Sequence, residues 1–97
     1  MHLAVRRYKI KSGSVDEILP LVNEGYLPLI TQAPGFLAQY YVDEGNGELF
    51  TVSLFEDQAT EEASTQLAAN WVKQNLAAVA EGPLETRVGE VKLYKAK

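Results

Sequence analysis

The sequence predicts an α+β fold in which strands and helices follow one another in the order βαββαβ. Four segments mix apolar with polar or basic residues in near alternation, which is typical of strands. Two longer segments repeat apolar residues at helical spacing. A chain of 97 residues with 46% hydrophobic and 23% charged residues fits one globular domain, covering residues 1–97.

The four predicted strands are separated by residues that favour turns or helix starts. Between the second and third strands, Gly45-Asn46-Gly47 tolerates positive φ angles and predicts a tight hairpin. The third strand has one row formed by Phe50, Val52 and Leu54, which is more uniformly apolar than the row that ends at Phe55. The predicted strands cover residues 2–10, 36–42, 48–56 and 85–95.

The first helix is predicted to begin at a capping box, in which Ser14 and Glu17 satisfy each other's backbone amides. Pro20 and Pro28 interrupt the helical pattern, so we expect a bent helix or two pieces that meet near Gly25. The side chains predicted to face the core share the helical spacing and are Val15, Ile18, Leu19, Val22, Tyr26, Leu29 and Ile30.

The second helix is predicted to begin after Asp57, a favourable N-cap residue, and to end at Gly82-Pro83. Glu61 and Glu62 lie near the positive end of its dipole, and we expect both to be solvated. The core-facing side chains of this helix are predicted to be Ala63, Leu67, Ala68, Trp71, Val72, Leu76 and Val79.

This order of elements closes most easily as one antiparallel sheet, in spatial order 4-1-3-2, with both helices on one face. Strands two to four nevertheless carry apolar residues on both faces, so the uncovered face predicts a homodimer joined through sheet faces. We expect Phe55 rather than Leu54 to face the partner, because Leu54 belongs to the more uniformly apolar row.

Composition excludes several classes of function. A net charge of −4 argues against nucleic acid as the main partner, and the chain has no cysteine and no metal-binding motif, so no metal or other cofactor is expected. No segment resembles a signal peptide or a membrane span, which predicts a cytoplasmic protein without membrane contact. Basic residues concentrate at both ends of the chain, either as solvated strand edges or as a local anion site.

Two short motifs carry a resemblance to a known family. Ala33-Pro34-Gly35-Phe36-Leu37 leads into the second strand, and Ser53-Leu54-Phe55-Glu56-Asp57 leads into the second helix. With these motifs the chain resembles the dimeric α/β-barrel superfamily, and within it the small antibiotic-biosynthesis-monooxygenase-like (ABM) domains. The resemblance implies a ferredoxin-like fold. The superfamily includes cofactor-free monooxygenases acting on phenols or quinols, haem-degrading enzymes and isomerases.

The resemblance also implies what a site would need. Haem-degrading members rely on a histidine in the second half of the chain, whereas the only histidine here is His2, so a haem site is not expected. Cofactor-free oxygenases use a dry pocket furnished with Trp, Tyr, Asn and Arg, which orients a phenolate and oxygen. Residues of these types are Arg6, Arg7, Tyr8, Tyr40, Tyr41, Asn70, Trp71 and Arg87.

Among these residues, the candidate catalytic side chains are those of Arg7, Trp71 and Arg87. Arg7 and Arg87 fall on neighbouring predicted strands, where they would either hold a phenolate or pair with carboxylates. The candidate substrate-binding side chains are Tyr40, Tyr41 and Asn70. For Trp71 and for each tyrosine singly, a role in packing is the favoured interpretation, and for Asn70 it is solvation on the helix surface.

Two functions therefore stay open from sequence. The first is a cofactor-independent monooxygenase that acts on an aromatic or quinol-like small molecule. The alternative is a non-catalytic dimeric protein that binds a small ligand or is associated with stress. A closed pocket with Trp71 or an arginine inside it favours the enzyme. A cleft filled by Phe, Leu and Tyr side chains favours the binding or structural role.

Overall fold

A computed structural model describes all residues 1–97 and confirms the predicted α+β fold. Its four strands form one antiparallel sheet in the spatial order β2-β3-β1-β4, which is the predicted order. The elements, in chain order, are β1 His2–Ile10, α1 Val15–Gly25, α2 Leu27–Ile30, β2 Phe36–Asp43, β3 Glu48–Phe55, α3 Gln58–Asn75 and β4 Ala80–Glu90.

Both helices begin at their predicted N-cap residues, although only one of the two bonds of the capping box predicted at Ser14 forms. The Glu17 amide donates to Ser14 Oγ over 3.3 Å at the start of α1, and the Thr60 amide donates to Asp57 Oδ1 over 2.9 Å at the start of α3. The first helical segment divides after Gly25, with Pro28 in the first turn of α2, as the sequence predicted.

The boundary between α3 and β4 differs from the prediction. The helix ends at Asn75, where the Leu76 amide donates to the Val72 carbonyl, and the buried Leu76 side chain turns the chain back toward the core. Gly82-Pro83 was therefore the wrong end point. It lies within β4, beside a shift in register between β1 and β4, which accommodates a residue without a backbone donor.

The assignment of the two faces of β3 was also wrong. Phe55 is fully buried beneath the helices and packs edge-to-face on Phe36, with ring centroids 5.8 Å apart. The row ending at Phe55 can face the core because its polar members find partners there, as when Ser53 Oγ donates to Gln39 Oε1 over 2.6 Å. The more uniformly apolar row ending at Leu54 faces away from the helices.

The core lies between the helices and the sheet. Its buried apolar side chains come from every helix and from every strand except β2, which is one of the two edge strands. They are Tyr8, Ile10, Val15, Ile18, Val22, Tyr26, Ile30, Leu49, Phe55, Ala68, Leu76 and Ala80. No helix is both long and apolar enough to cross a membrane.

The opposite side of the sheet, here called the open face, has no cover from its own chain. At its centre Val52 lies between Val5 of β1 and Tyr40 of β2, and Tyr40 is 56% exposed. The apolar side chains of the open face are Leu3, Val5, Ala38, Tyr40, Val42, Phe50, Val52 and Leu54. A continuous apolar surface of this kind marks an interaction site.

The reversed assignment of β3 makes a prediction about stability. Replacing Phe55 by Ala should lower the free energy of unfolding by roughly 3–5 kcal/mol, because it empties a fully buried site. Leu54→Ala, on the half-buried open face, should cost clearly less. Urea denaturation followed by circular dichroism measures both, and an equal loss in the two variants would contradict the assignment.

Candidate functional site

A cavity lies between the sheet and the helices. The cavity has a volume of about 40 Å³, which is room for roughly three water molecules. The cavity continues into a solvent-open part, and the two together enclose about 500 Å³. The lining side chains are Arg6, Tyr8, Ile18, Tyr26, Gln39, Tyr41, Leu49, Thr51, Ala68, Trp71, Val72 and Ala80.

Arg6 supplies the one charged side chain of this lining. It stands on β1 between Ala4 and Tyr8, on the side of the sheet that faces the helices, and it is 4% exposed. Its Nη2 atom donates to Thr65 Oγ1 on α3. No carboxylate oxygen lies within 4.0 Å of its guanidinium. The cavity therefore holds a buried cation whose remaining N–H groups are not taken by an acid.

Three tyrosines add hydroxyl groups to the cavity wall. Burial raises the pKa of Tyr8, of Tyr41 and of Tyr26, the last to about 12, while the positive charge of Arg6 acts in the opposite direction on each. At neutral pH all three hydroxyls are protonated and able to donate a hydrogen bond. Together with Arg6 they make the cavity rich in donors.

Trp71 forms a flat wall of the cavity. Its ring packs on Tyr26, with centroids 5.5 Å apart and planes tilted by 46°. The contact depends on Gly25, where a Cβ atom would lie 2.9 Å from Trp71 Cζ2. Two rings in this arrangement offer the surfaces against which a planar aromatic molecule packs well.

Tyr41 forms the partition between the cavity and the outside. The same side chain also lines an outer groove along α1, which has a volume of about 490 Å³. Tyr41 belongs to β2, which is an edge strand, so one of its flanks has no neighbouring strand. The enclosed part of the cavity is smaller than an aromatic ring, and Tyr41 is the side chain that lines both this cavity and the outer groove.

The structure separates the residues that sequence had grouped as candidates. Trp71 and Tyr41 line the cavity, whereas Tyr40 lies on the open face and Asn70 is exposed on α3. Arg7 and Arg87 both lie on the side of the sheet away from the helices, since Arg7 pairs across strands with Phe50 and Arg87 with Val5. The roles proposed for these residues stay predictions.

Arg6 and Tyr26 are among the cavity residues that the sequence did not single out as candidates. Arg6 was one of several residues of suitable chemistry, and Tyr26 was assigned only to the core stripe of the first helix. The available signal was strand alternation, which puts Arg6 on the same face as Ala4, Tyr8 and Ile10. That signal is weak, because the other row of β1 begins with Leu3 and Val5 and is apolar as well.

The side chain of Glu61 is buried, whereas the sequence predicted that it would be exposed to solvent. It is 2% exposed, and its Oε1 atom is buried without a hydrogen-bond partner. Glu61 lies in the first turn of α3, on the stripe that continues through Ser64 and Ala68 and packs against the sheet. The expectation of solvation was therefore wrong, since the helix face that packs on the sheet begins at this carboxylate.

Comparison with known proteins identifies the fold. No protein-family model matches the sequence, and no curated protein matches it significantly. Among solved structures, a variant of MhuD with two manganese protoporphyrin IX molecules bound per active site is 18% identical, with a TM-score of 0.77 and complete coverage of both chains. SnoaB, a cofactor-independent oxygenase from Streptomyces nogalater, is 15% identical, with a TM-score of 0.73 over 99% of this chain and 97% of that one.

A dimeric ferredoxin-like protein from an uncultured marine organism is 11% identical, with a TM-score of 0.73 and complete coverage of both chains. These likenesses confirm that the chain has a ferredoxin-like fold, which the resemblance had implied. Identities this low show the fold alone.

The buried tyrosines make a prediction about alkaline pH. The pKa of Tyr26 is about 10 when unfolded and about 12 when folded, so the stability it contributes is complete below pH 10 and is lost as pH rises toward 12. Across that window the free energy of unfolding should fall by about 1.4 kcal/mol per pH unit for this residue. Urea midpoints measured against pH should show a shallower decline for Tyr26→Phe. Tyr94→Phe, at an exposed position, should keep the original slope.

Proposed function

We propose that this protein is a cofactor-independent monooxygenase that acts on an aromatic, quinol-like small molecule inside the cavity. The observation that carries the proposal is the buried guanidinium of Arg6, which has no carboxylate partner and stands among aromatic side chains. A fixed cation in a water-poor site stabilises an anion more strongly than a cation at the surface does. The anion that suits flat aromatic walls is a phenolate.

The reaction needs a substrate that supplies its own electrons. A phenolate reacts with oxygen more readily than the neutral phenol does, so favouring the ionised form promotes the chemistry. In an anthrone-type substrate a ring CH₂ group becomes a carbonyl group. One oxygen atom of O₂ enters the ring, and the other leaves as water with the two hydrogens. Arg6 holds the anionic oxygen, and the walls formed by Trp71 and Tyr26 orient the ring.

Haem does not fit the residues present. The lining of the cavity includes no histidine, and His2 lies outside it, near Glu56, Gln58 and Glu90. The chain also has no group of three or more His, Cys, Asp or Glu side chains placed to hold a metal ion. The role of the protoporphyrin site in MhuD is therefore not transferred to this chain.

The alternative function is non-catalytic binding of a small ligand. It is favoured by the apolar character of the cavity, since nine of its 12 lining residues are hydrophobic, and by its small closed volume. The same Arg6 and aromatic walls would then hold an aromatic anion without oxidising it. Oxygen consumption distinguishes the two functions.

We also propose that two copies of the chain pair through their open faces, as a homodimer. The open face is apolar from β1 across β3 to β2, and a second copy related by two-fold symmetry would cover both surfaces at once. A ferredoxin-like protein of the same fold is dimeric, which supports the proposal of a dimer.

We also propose, from the sequence, that the protein is cytoplasmic.

Arg6→Gln tests the proposed chemistry. Oxygen uptake should be measured with a panel of dihydroxynaphthalenes and anthrones, without added metal or flavin. We expect kcat to fall roughly 100-fold in the variant, because it removes the charge that stabilises the anion. Lys73→Gln, which removes an exposed positive charge from α3, is the control and should keep the rate of the original protein.

Three outcomes of this test count against the proposal. Equal rates in the Arg6 variant and the original protein would remove Arg6 from the mechanism. A loss seen in Arg7→Ala or Arg87→Ala but not in Arg6→Gln would move the anion site to the open face. No oxygen uptake with any electron-rich phenol, despite saturable binding, would favour the non-catalytic function.

The proposed dimer makes a separate prediction. Val52→Asp puts a charge at the centre of the open face, so it should convert the dimer to monomer or aggregate. Gln66→Asp, on the exposed surface of α3, adds the same side chain elsewhere and should leave the dimer intact. Native mass spectrometry at micromolar concentration reports the mass of each species. Only monomer in the original protein would contradict the proposal.

A further inference from the structure

We propose that Glu61 is a positioning residue that balances the buried charge of Arg6 without occupying its hydrogen-bond donors. This inference rests on the proposed function, since it assumes that the cavity receives an aromatic anion. Two side chains of opposite charge, each more than nine-tenths buried, belong to facing elements, Arg6 to β1 and Glu61 to α3. They form no ion pair within 4.0 Å.

Thr65 links the two elements. Its Oγ1 atom accepts a hydrogen bond from Arg6 Nη2 and donates one to the Glu61 carbonyl oxygen over 3.2 Å. Ser64 Oγ donates to the same carbonyl over 2.6 Å. Because Thr65 follows Glu61 by four residues, the two side chains lie one helical turn apart on the same face of α3. The threonine hydroxyl takes the place on the guanidinium that a carboxylate would otherwise fill.

Arg7 shows the contrasting arrangement on the same strand. Its guanidinium lies 2.6 Å from Glu48, 3.6 Å from Glu44 and 3.8 Å from Glu85, so acidic side chains surround it. A substrate anion would have to displace those carboxylates. Arg6 instead has no carboxylate oxygen within 4.0 Å, and its one side-chain hydrogen bond goes to the neutral hydroxyl of Thr65.

The physical advantage lies in how the two interactions depend on distance. A hydrogen bond to a carboxylate exists only at contact, whereas the attraction between opposite charges in a medium of low dielectric extends over a helical turn. Glu61 therefore reduces the cost of burying the guanidinium without capping it. The buried Oε1 atom of Glu61 has no hydrogen-bond partner, so this oxygen accepts no hydrogen bond from Arg6.

Glu61→Gln tests the inference with 4-nitrophenol as the probe. Its phenolate is coloured, so titration at several pH values gives the affinity of the phenol and of the phenolate separately. Loss of the Glu61 charge leaves Arg6 unbalanced, and we expect the affinity for the phenolate relative to the phenol to rise roughly tenfold. Glu62→Gln removes the adjacent, exposed charge of the same turn and should change that ratio by less than about twofold.

A variant that combines Glu61→Gln with Arg6→Gln completes a double-mutant cycle. In the Arg6→Gln background the Glu61→Gln change should raise the phenolate-to-phenol affinity ratio by clearly less than it does in the original protein, because only the direct repulsion between Glu61 and the phenolate is then removed. The double variant should melt at a higher temperature than either single variant. Should Glu61→Gln fail to fold, Glu61→Asp, which retains the charge, should keep the original ratio within about twofold. Either an unchanged ratio in Glu61→Gln, or a tenfold change in Glu61→Asp, would overturn the inference.

The readouts separate this inference from the proposed reaction. Binding and melting do not require turnover, so a tenfold rise in the ratio without oxygen uptake would support the role of Glu61 and reject the oxygenase. Oxygen uptake that depends on Arg6, together with an unchanged ratio in Glu61→Gln, would support the oxygenase and reject the role of Glu61.

Discussion

Burial of the Arg6 guanidinium between the sheet and α3 sets the requirements that the surrounding side chains meet. A charged group removed from water is costly unless other groups compensate for it. Thr65 accepts one hydrogen bond from it, and the buried Glu61 provides a negative charge on the same helix face. Around this polar layer the aromatic walls lower the local dielectric, which strengthens any interaction with a further anion.

The same constraint explains why the row of β3 that faces the helices contains polar side chains. Thr51 is the cross-strand neighbour of Arg6, and the buried Ser53 follows two residues later, bonded to Gln39 of the edge strand. A fully apolar row in this position would leave the guanidinium without polar surroundings. The chain instead places its most uniformly apolar row on the open face, where a second copy is the proposed cover.

Helix α3 contributes both to the packing of the core and to the walls of the cavity. Its first turn contributes Glu61, its middle contributes Thr65, and its last turns contribute Trp71, which closes on Gly25 of α1. A helix that carries a carboxylate and hydroxyls on its packed face gives up some apolar burial. In return, one rigid element positions both the polar and the aromatic walls of the cavity, which favours a preorganised site.

The sequence by itself determined the element order, the caps at Ser14 and Asp57, the hairpin at Gly45-Asn46-Gly47 and the break near Gly25, because these depend on local backbone chemistry. Only the tertiary structure decided which row of β3 is buried and which arginine of β1 lies inside. Both rows contain apolar residues, so alternation alone does not distinguish them. Arg6 can be buried because Thr65, 59 positions away in the chain, meets it across the core, and no local pattern reports such a partner.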